Sequence, residues 1–260
     1  MTRDDLGYEV ELPQPVQRVV SLVPSLTEAL AESVPQLLVG CTDWCVRPAD
    51  IERRAGHEVV RVRGTKNPDR EAIAALHPDL VIANQEENRR FDVDKLRDAG
   101  VPVWVTSIDT VDQALSSLGR LFDQALGVAP PDWLVQARNN WLEPDPPITR
   151  TAIVCIWRDP WMVIGPDTYA ADVLHRSCVG LAPLPIEDWQ HARYPKLELD
   201  ALKASGADLV LLMDAPYSFT PSDGPECFPG MDVRIVPERP LAWYGPALAD
   251  ARAQIQQLVG

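Results

Sequence analysis

The feature that most restricts how this chain can fold is that part of it occurs twice. Glu71-Ala-Ile-Ala-Ala-Leu-His-Pro-Asp-Leu-Val-Ile-Ala83 aligns with Asp200-Ala-Leu-Lys-Ala-Ser-Gly-Ala-Asp-Leu-Val-Leu-Leu212 at a shift of 129, with five identities in thirteen positions. Val101-Pro-Val-Trp-Val105 then aligns with Met231-Asp-Val-Arg-Ile235 at a shift of 130. A helix followed by Asp-Leu-Val and a strand recurs in many α/β proteins, but a register held over two elements argues for duplication of a whole unit.

Within the first copy, apolar runs alternate with helix-like stretches. Arg18 to Val23 reads as a buried strand, followed by Pro24 and a capping box, Ser25-Leu-Thr-Glu28, that opens a helix. Pro68 suits a first helical position, and the helix Asp69 to Leu76 should end at His77-Pro78. Asp79 to Ala83 is a strand, Asp92 to Ala99 a helix stopped by Gly100, and Val101 to Thr106 the next strand. Such β-α-β alternation predicts a parallel sheet covered by helices. Thr151 to Trp157 starts the same arrangement again. Between the copies, Val111, Leu115, Leu118, Leu121, Phe122 and Leu126 keep helical spacing, Gly127 to Pro131 interrupts it, and Trp133, Leu134, Ala137, Trp141 and Leu142 resume it. The expected fold is therefore α/β: two Rossmann-like lobes with parallel sheets, residues 1–108 and 148–260, joined by a long helical span, residues 109–147, with a cleft between the lobes.

Charge and composition exclude several functions. The 260 residues carry 24 Lys and Arg against 38 Asp and Glu, a formal charge of −14. Nucleic-acid phosphates want clustered cations, so nucleic acid is not an expected partner. No run approaches the ~20 apolar residues of a membrane-spanning helix. The start, Met1-Thr-Arg-Asp-Asp-Leu-Gly, lacks the basic and apolar stretches of a secretory leader. The expectation is a soluble, cytoplasmic protein as written, and a periplasmic or cell-surface one if a leader has been removed. The five cysteines are an odd number in a chain too large to need disulfide staples. Cys155 falls in an apolar strand; Cys41-x-x-x-Cys45 could hold a metal or form a redox pair, although its spacing matches no common zinc knuckle.

At this point the motifs resemble a known family, the helical-backbone solute-binding proteins of ABC importers, especially the branch that binds cobalamin and other metal chelates. The resemblance rests on Arg18-Val-Val-Ser-Leu-Val-Pro-Ser-Leu-Thr-Glu28, Gly64-Thr-Lys-Asn-Pro-Asp69, His77-Pro-Asp-Leu-Val81 and Tyr194-Pro-Lys-Leu-Glu-Leu-Asp-Ala-Leu202, and spans most of the chain. It implies two α/β lobes, a long connecting helix, and a shallow cleft for a corrinoid, haem or ferric siderophore. It also implies that one carboxylate per lobe docks on arginine pockets of a two-fold symmetric ABC permease. Those positions fall on Glu71 and Asp200, the pair that opens both copies of the repeat. Acids in the first turn of a helix also complement its dipole without any partner. The missing leader departs from the family and favours a cytoplasmic relative, a corrinoid or metal carrier or a tetrapyrrole or metal enzyme.

Ligands of open α/β sheets bind beyond the carboxyl ends of the strands. The loops expected there hold Ser25, Trp44, Asn84, Glu86, Trp157, Trp161, Tyr217, Trp243 and Tyr244, the candidate ligand-binding residues. Aromatic rings with few rotors can cover the face of a macrocycle at little entropic cost. Trp104, Trp133 and Trp141 read as core, and Trp189 as loop. His191 could reach a chelated metal, but scattered His57, His77, His175 and His191 read better as solvated or capped, and no residue is nominated as a metal ligand. With no HExxH, GxSxG, P-loop or GxGxxG, no catalytic residue and no cofactor is nominated either.

Overall fold

Each copy of the repeat becomes a helix leading into a central parallel strand, and a sheet grows on both sides of it. The structure, a computed structural model, describes residues 2–260. Two compact units are formed: one from the residues up to Ile108 with Asp112–Gln136 and Tyr244–Pro246, the other from Asp109–Val111, Ala137–Trp243 and Ala247–Gly260.

The first unit opens with a short antiparallel pair, β1 (Thr2–Arg3) and β2 (Glu9–Val10). Its main sheet contains β3 (Val19–Ser21), β4 (Leu38–Cys41), β5 (Val60–Arg61), β8 (Leu80–Asn84) and β9 (Val103–Thr106), ordered β5-β4-β3-β8-β9 and parallel throughout. A two-stranded ribbon, β6 (Arg63–Gly64) and β7 (Asn67–Pro68), precedes the repeat. Helices α1 (Pro24–Ser33), α2 (Ile51–Ala55), α3 (Arg70–Ala75) and α4 (Arg90–Asp98) supply the crossovers. The second unit is built on β10 (Arg150–Trp157), β11 (Trp161–Val163), β12 (Val179–Leu181), β13 (Lys196–Leu197), β14 (Leu209–Met213) and β15 (Val233–Val236). Strands β12, β14 and β15 run parallel to β10, as expected, while β11 and β13 add an antiparallel flank. The repeat is visible in the register. Val81 faces Val103 in the first sheet, and the aligned Val210 faces Val233 in the second.

The repeated aspartate has a local job in both units. Asp79 Oδ2 accepts from the backbone N–H groups of Gln17 (2.8 Å) and Arg18 (2.9 Å), and Asp208 Oδ2 accepts from the N–H (2.8 Å) and hydroxyl (2.9 Å) of Thr151. The turn before one strand is thereby tied to the start of its neighbour, satisfying donors the sheet leaves open. Beneath these ties lie separate cores, Val20, Leu22, Ile73, Val81 and Val105 in one unit and Ile153, Val163, Leu202, Val210 and Phe219 in the other.

The connecting helical span is broken where Gly127 to Pro131 interrupts its spacing, and forms two helices. Helix α5 (Val111–Arg120) runs into a π-turn, Leu121–Ala125, and ends at Gly127, whose φ of +66° is left-handed; α6 (Asp132–Trp141) begins after Pro131. Two prolines without N–H donors cannot carry the ladder across that gap. Trp104 and Trp141 are core as expected, and Trp133 is half-buried, edge-on to Phe122, with its indole donating to Ser33 (2.9 Å). In the second unit α7 (Tyr169–His175), α8 (Leu199–Lys203), α9 (Glu238–Ala242) and α10 (Ala251–Val259) complete the fold.

Two local expectations are corrected. Pro24 rather than Ser25 opens α1, with Val23 as its cap, so the capping box does not form. A proline's missing donor is no loss at the first helical position, and this moves Ser25 one residue inside. Likewise Pro68 ends β7, and Asp69 caps α3 by accepting from the Ala72 N–H (3.0 Å).

The carboxyl terminus is held by two arginines that share one acid. Arg150 and Arg234 donate to the carbonyls of Val259 (3.1 Å) and Leu258 (2.6 Å), and both bind Asp232. Hydrogen bonds from Arg234 and then Arg150 hold the Asp232 carboxyl at about 2, below its usual 3.8. A depressed folded-state pKa contributes stability that is complete above 3.8 and is lost as pH falls towards 2. The melting temperature of Asp232→Asn should therefore fall less between those pH values than that of the unaltered chain, as differential scanning fluorimetry across pH would read.

Candidate ligand-binding edges

In each unit the loops after the strands gather at the carboxyl-end edge of its sheet. In the first unit these are the start of α1 after β3, the Thr42–Cys45 turn after β4, and the Gln85–Asn88 turn after β8. Trp44 stands out from the second of these, 67 % exposed. An indole so exposed loses contact energy it would recover against a flat apolar ligand. Ser25 lies in the first turn of α1, only 3 % exposed, and its hydroxyl has no hydrogen-bond partner. A buried hydroxyl without a partner is costly, so Ser25 retains unused donor capacity at this edge.

Asn84 is placed here as expected, but its side chain is already used. Its Oδ1 accepts from the N–H groups of Glu86 (2.8 Å) and Glu87 (3.2 Å), and its Nδ2 donates to the hydroxyl (3.1 Å) and carbonyl (3.3 Å) of Thr106. That accounts for all four of its bonds, so Asn84 is a builder of the turn rather than a ligand contact. Asn88, which the sequence did not single out, clamps the same turn from the N–H of Asn84 (2.8 Å) to the carbonyls of Leu22 (3.2 Å) and Thr65 (2.9 Å). Glu86 is exposed, and its backbone carbonyl accepts from Lys66. Tyr244, expected among the second-half loops, packs with the first unit and is buried, its hydroxyl donating to Glu87 (3.2 Å). Gly245 beside it is required by closeness: a Cβ there would lie 2.8 Å from the Ser25 carbonyl oxygen.

In the second unit the edge is made by the ends of β10, β14 and β15. Trp157, the last residue of β10, is 41 % exposed and meets Tyr217 edge-on at 5.7 Å. Tyr217 is half-buried, stacks obliquely on Phe219 (4.7 Å) and donates to Asp223 (2.6 Å). That hydrogen bond, with partial burial, pushes the Tyr217 phenol up. Trp161 is a correction. It lies not in a loop but in β11, 6 % exposed, stacked on Phe219 (5.8 Å) and edge-on to Phe228 (5.2 Å) within the core. The strand reverses after Pro160, which turns Trp161 inwards while Trp157 remains at the rim. Trp189, expected in a loop, forms a single helical turn packed against the same core.

Two groups at this edge were not foreseen. Arg158 binds Asp223 and Glu226, fixing the loop that carries Tyr217's partner. Glu238, at the start of α9, has its carboxyl pushed up by burial and by the nearby Asp214, while a hydrogen bond from Trp243 opposes the shift. Its N–H also donates to Asp214 (2.8 Å). Trp243 thus faces this carboxyl pair, half-buried. These partners are brought together by the fold over long sequence separations, and no motif announces them. His57 bonds the Leu38 carbonyl (3.0 Å) and His191 bonds Asp188 (2.7 Å), which pushes the His191 ring up. Among the described residues no group of three or more His, Cys, Asp or Glu is arranged to hold a metal ion, and no helix is long and apolar enough to cross a membrane. Glu71 and Asp200 are both exposed, each the second residue of its helix, α3 and α8.

Comparison with known proteins bears out the resemblance read from the motifs. Residues 19–126 match the model of the periplasmic binding protein family. A vitamin B12-binding protein of Vibrio parahaemolyticus is 32% identical over 109 residues, 42% of this chain and 38% of that protein. One of Pectobacterium carotovorum is 29% identical over 106 residues, 40% of this chain and 37% of its own length. The matched stretch thus spans well under half of these relatives. Among solved structures, the periplasmic vitamin B12 binding protein BtuF of Vibrio cholerae superposes with a TM-score of 0.72 at 17% identity, covering 95% of this chain and 98% of that one. A periplasmic heme-binding protein, BhuT in complex with two hemes, gives 0.73 at 20% identity, covering 93% and 97%. The chain has the α/β fold of these binding proteins from end to end.

Proposed function

We propose that this chain is a solute-binding protein for a metal chelate, with a corrinoid favoured. The observation that carries the reading is the pair of rim tryptophans. Trp44 and Trp157 are exposed at the carboxyl-end edges of two sheets built from one repeat, whereas Trp104, Trp141 and Trp161 are buried. Flat, rigid aromatics at such edges suit the face of a macrocycle, and a chelate brings its own metal, so no cluster of protein ligands is needed. Ser25 and the Glu238–Asp214–Trp243 group supply hydrogen-bonding capacity for polar substituents. The relatives are named as binding proteins, which supports binding rather than catalysis.

Titrating the purified chain with cyanocobalamin, cobinamide, haemin and a ferric siderophore, and following tryptophan emission, tests this. Saturable quenching by at least one ligand without conversion is expected, with a thermal stabilisation of about 3 kcal/mol at a hundredfold excess over Kd. If none of the four quenches or stabilises, the reading fails; turnover would make it an enzyme.

The docking role follows the same logic. Equivalent exposed carboxylates on two related units suit a partner with two equivalent cationic pockets, such as an ABC permease dimer. Glu71→Ala with Asp200→Ala should leave chelate affinity within twofold, yet abolish stimulation of the ATPase of a partner permease reconstituted in liposomes. Unchanged stimulation would discard the docking role of these two carboxylates, and no stimulation by the unaltered chain would favour a carrier without a transporter.

A further inference from the structure

The geometry points to a redox-active dithiol at Cys41 and Cys45, which a small peroxide joins in a disulfide that closes the turn carrying Trp44. The inference stands apart from the ligand reading, since it concerns only these sulfurs.

Cys41 ends β4, and the following turn brings Cys45 back, with the Cys45 N–H donating to the Thr42 carbonyl (3.1 Å). One arginine pins the turn: Arg61 Nη1 reaches the carbonyls of Thr42 (3.0 Å) and Cys45 (2.8 Å) and lies 3.1 Å from the Cys41 sulfur. Arg61 and Thr42 thereby join the two cysteines in one buried cluster, the guanidinium touching the Cys41 sulfur and the Cys45 carbonyl and the Thr42 hydroxyl touching the Cys45 sulfur. Cys45 Sγ also contacts the hydroxyls of Thr27 (3.0 Å) and Thr42 (3.1 Å). A hydrogen bond with Cys45 and then burial push the Cys41 thiol up, whereas at Cys45 the contacts with Cys41, Thr27 and Thr42 outweigh burial, making Cys45 the readier thiolate. A guanidinium against one sulfur disfavours a metal cation, which would meet like charge, and favours an anionic thiolate intermediate. Cys155 has no such arrangement: its neighbour Cys227 bonds Glu226 instead.

Both sulfurs are sealed from solvent, but their cover is one turn thick, with Asp43, Trp44 and Val46 exposed above them. That selects a small oxidant. The Cys45 thiolate attacks one oxygen of hydrogen peroxide, the O–O bond breaks, and the departing hydroxide takes a proton to become water, leaving Cys45 as a sulfenic acid. Cys41 then loses its proton and attacks the Cys45 sulfur. The S–S bond forms, the S–O bond breaks, and the oxygen leaves as a second water. One peroxide is reduced to two waters while two thiols are oxidised to a disulfide.

The test is peptide mass analysis of the full chain after graded hydrogen peroxide, with free thiols blocked before trypsin. Residues 19–53 form one tryptic peptide containing both cysteines. It should escape blocking and lose two hydrogens, about 2 Da, reversibly with dithiothreitol, at doses that leave Cys155 unmodified. Cys45→Ser should abolish the loss; should that variant not fold, the unaltered chain still decides the matter. Sulfinic acid at Cys45 without a link, a link from Cys155 to Cys227 instead, or no change at doses that oxidise Cys178 and Cys227 would each overturn the proposal.

Discussion

Replacing Trp44 and Trp157 together by alanine is expected to weaken chelate binding about a hundredfold, a loss of roughly 2–3 kcal/mol. Both rings are exposed in this structure, at 67 % and 41 %, so their truncation removes contact area for a ligand without opening a core cavity. Trp157 is braced edge-on by Tyr217, and Trp44 projects from the turn pinned by Arg61. A ring braced as Trp157 is, and a backbone turn pinned as that of Trp44 is, lose less freedom on binding than a loose surface loop would. The urea midpoint should change little. Leu142→Ala, at an exposed position at the end of α6, serves as control and should bind normally. Isothermal titration of the double variant decides the matter: affinity within threefold of the unaltered chain would remove these rings from the binding surface.

Asp4→Ala should lower unfolding free energy by about 3–5 kcal/mol, the range for breaking a buried pair by removing one partner. The Asp4 carboxylate is wholly buried. Its Oδ1 accepts from the N–H groups of Leu6 (3.0 Å) and Tyr8 (2.8 Å), and its Oδ2 from Arg97 (2.7 Å) and the Val105 N–H (3.3 Å). Alanine would strand three backbone donors and a largely buried guanidinium that also packs 3.7 Å from the Tyr8 ring. It would also free the edge of β9, which the segment around Asp4 and Asp5 covers. By contrast the exposed pair Arg3–Glu9 should be worth under about 1 kcal/mol, so Arg3→Ala is the matched control. Urea unfolding with both variants checks this, and a loss at Asp4 no greater than at Arg3 would refute it.

The unequal legibility of the chain has a physical basis. The repeat could be read because Asp79 and Asp208 must each meet the start of a neighbouring strand, and Val81 and Val210 must each lie in a sheet centre. Local chemistry was less secure. Ser25 and Pro68 both matched helix-start patterns, yet Pro24 opened one helix and Asp69 capped the other, since neighbouring residues compete for the same few orphan donors. Asn84 and Trp161 fell in plausible loops by order along the chain, but Thr106 and Phe219 respectively claim their side chains.

Alternation of apolar runs with capped helical stretches is a local property, so the sequence by itself determined two α/β units, their repeated helix–strand core and the family they resemble. Which aromatic stays at the rim depends on partners dozens of residues away. Trp161 is drawn into the core by Phe219 and Phe228, and Tyr244 by Glu87, while Trp44 and Trp157 have no such cover. The same holds for Arg61, brought from another strand onto Cys41 and the Cys45 turn. Side-chain burial and charge neighbours are set by three-dimensional packing, and only the tertiary structure decided them.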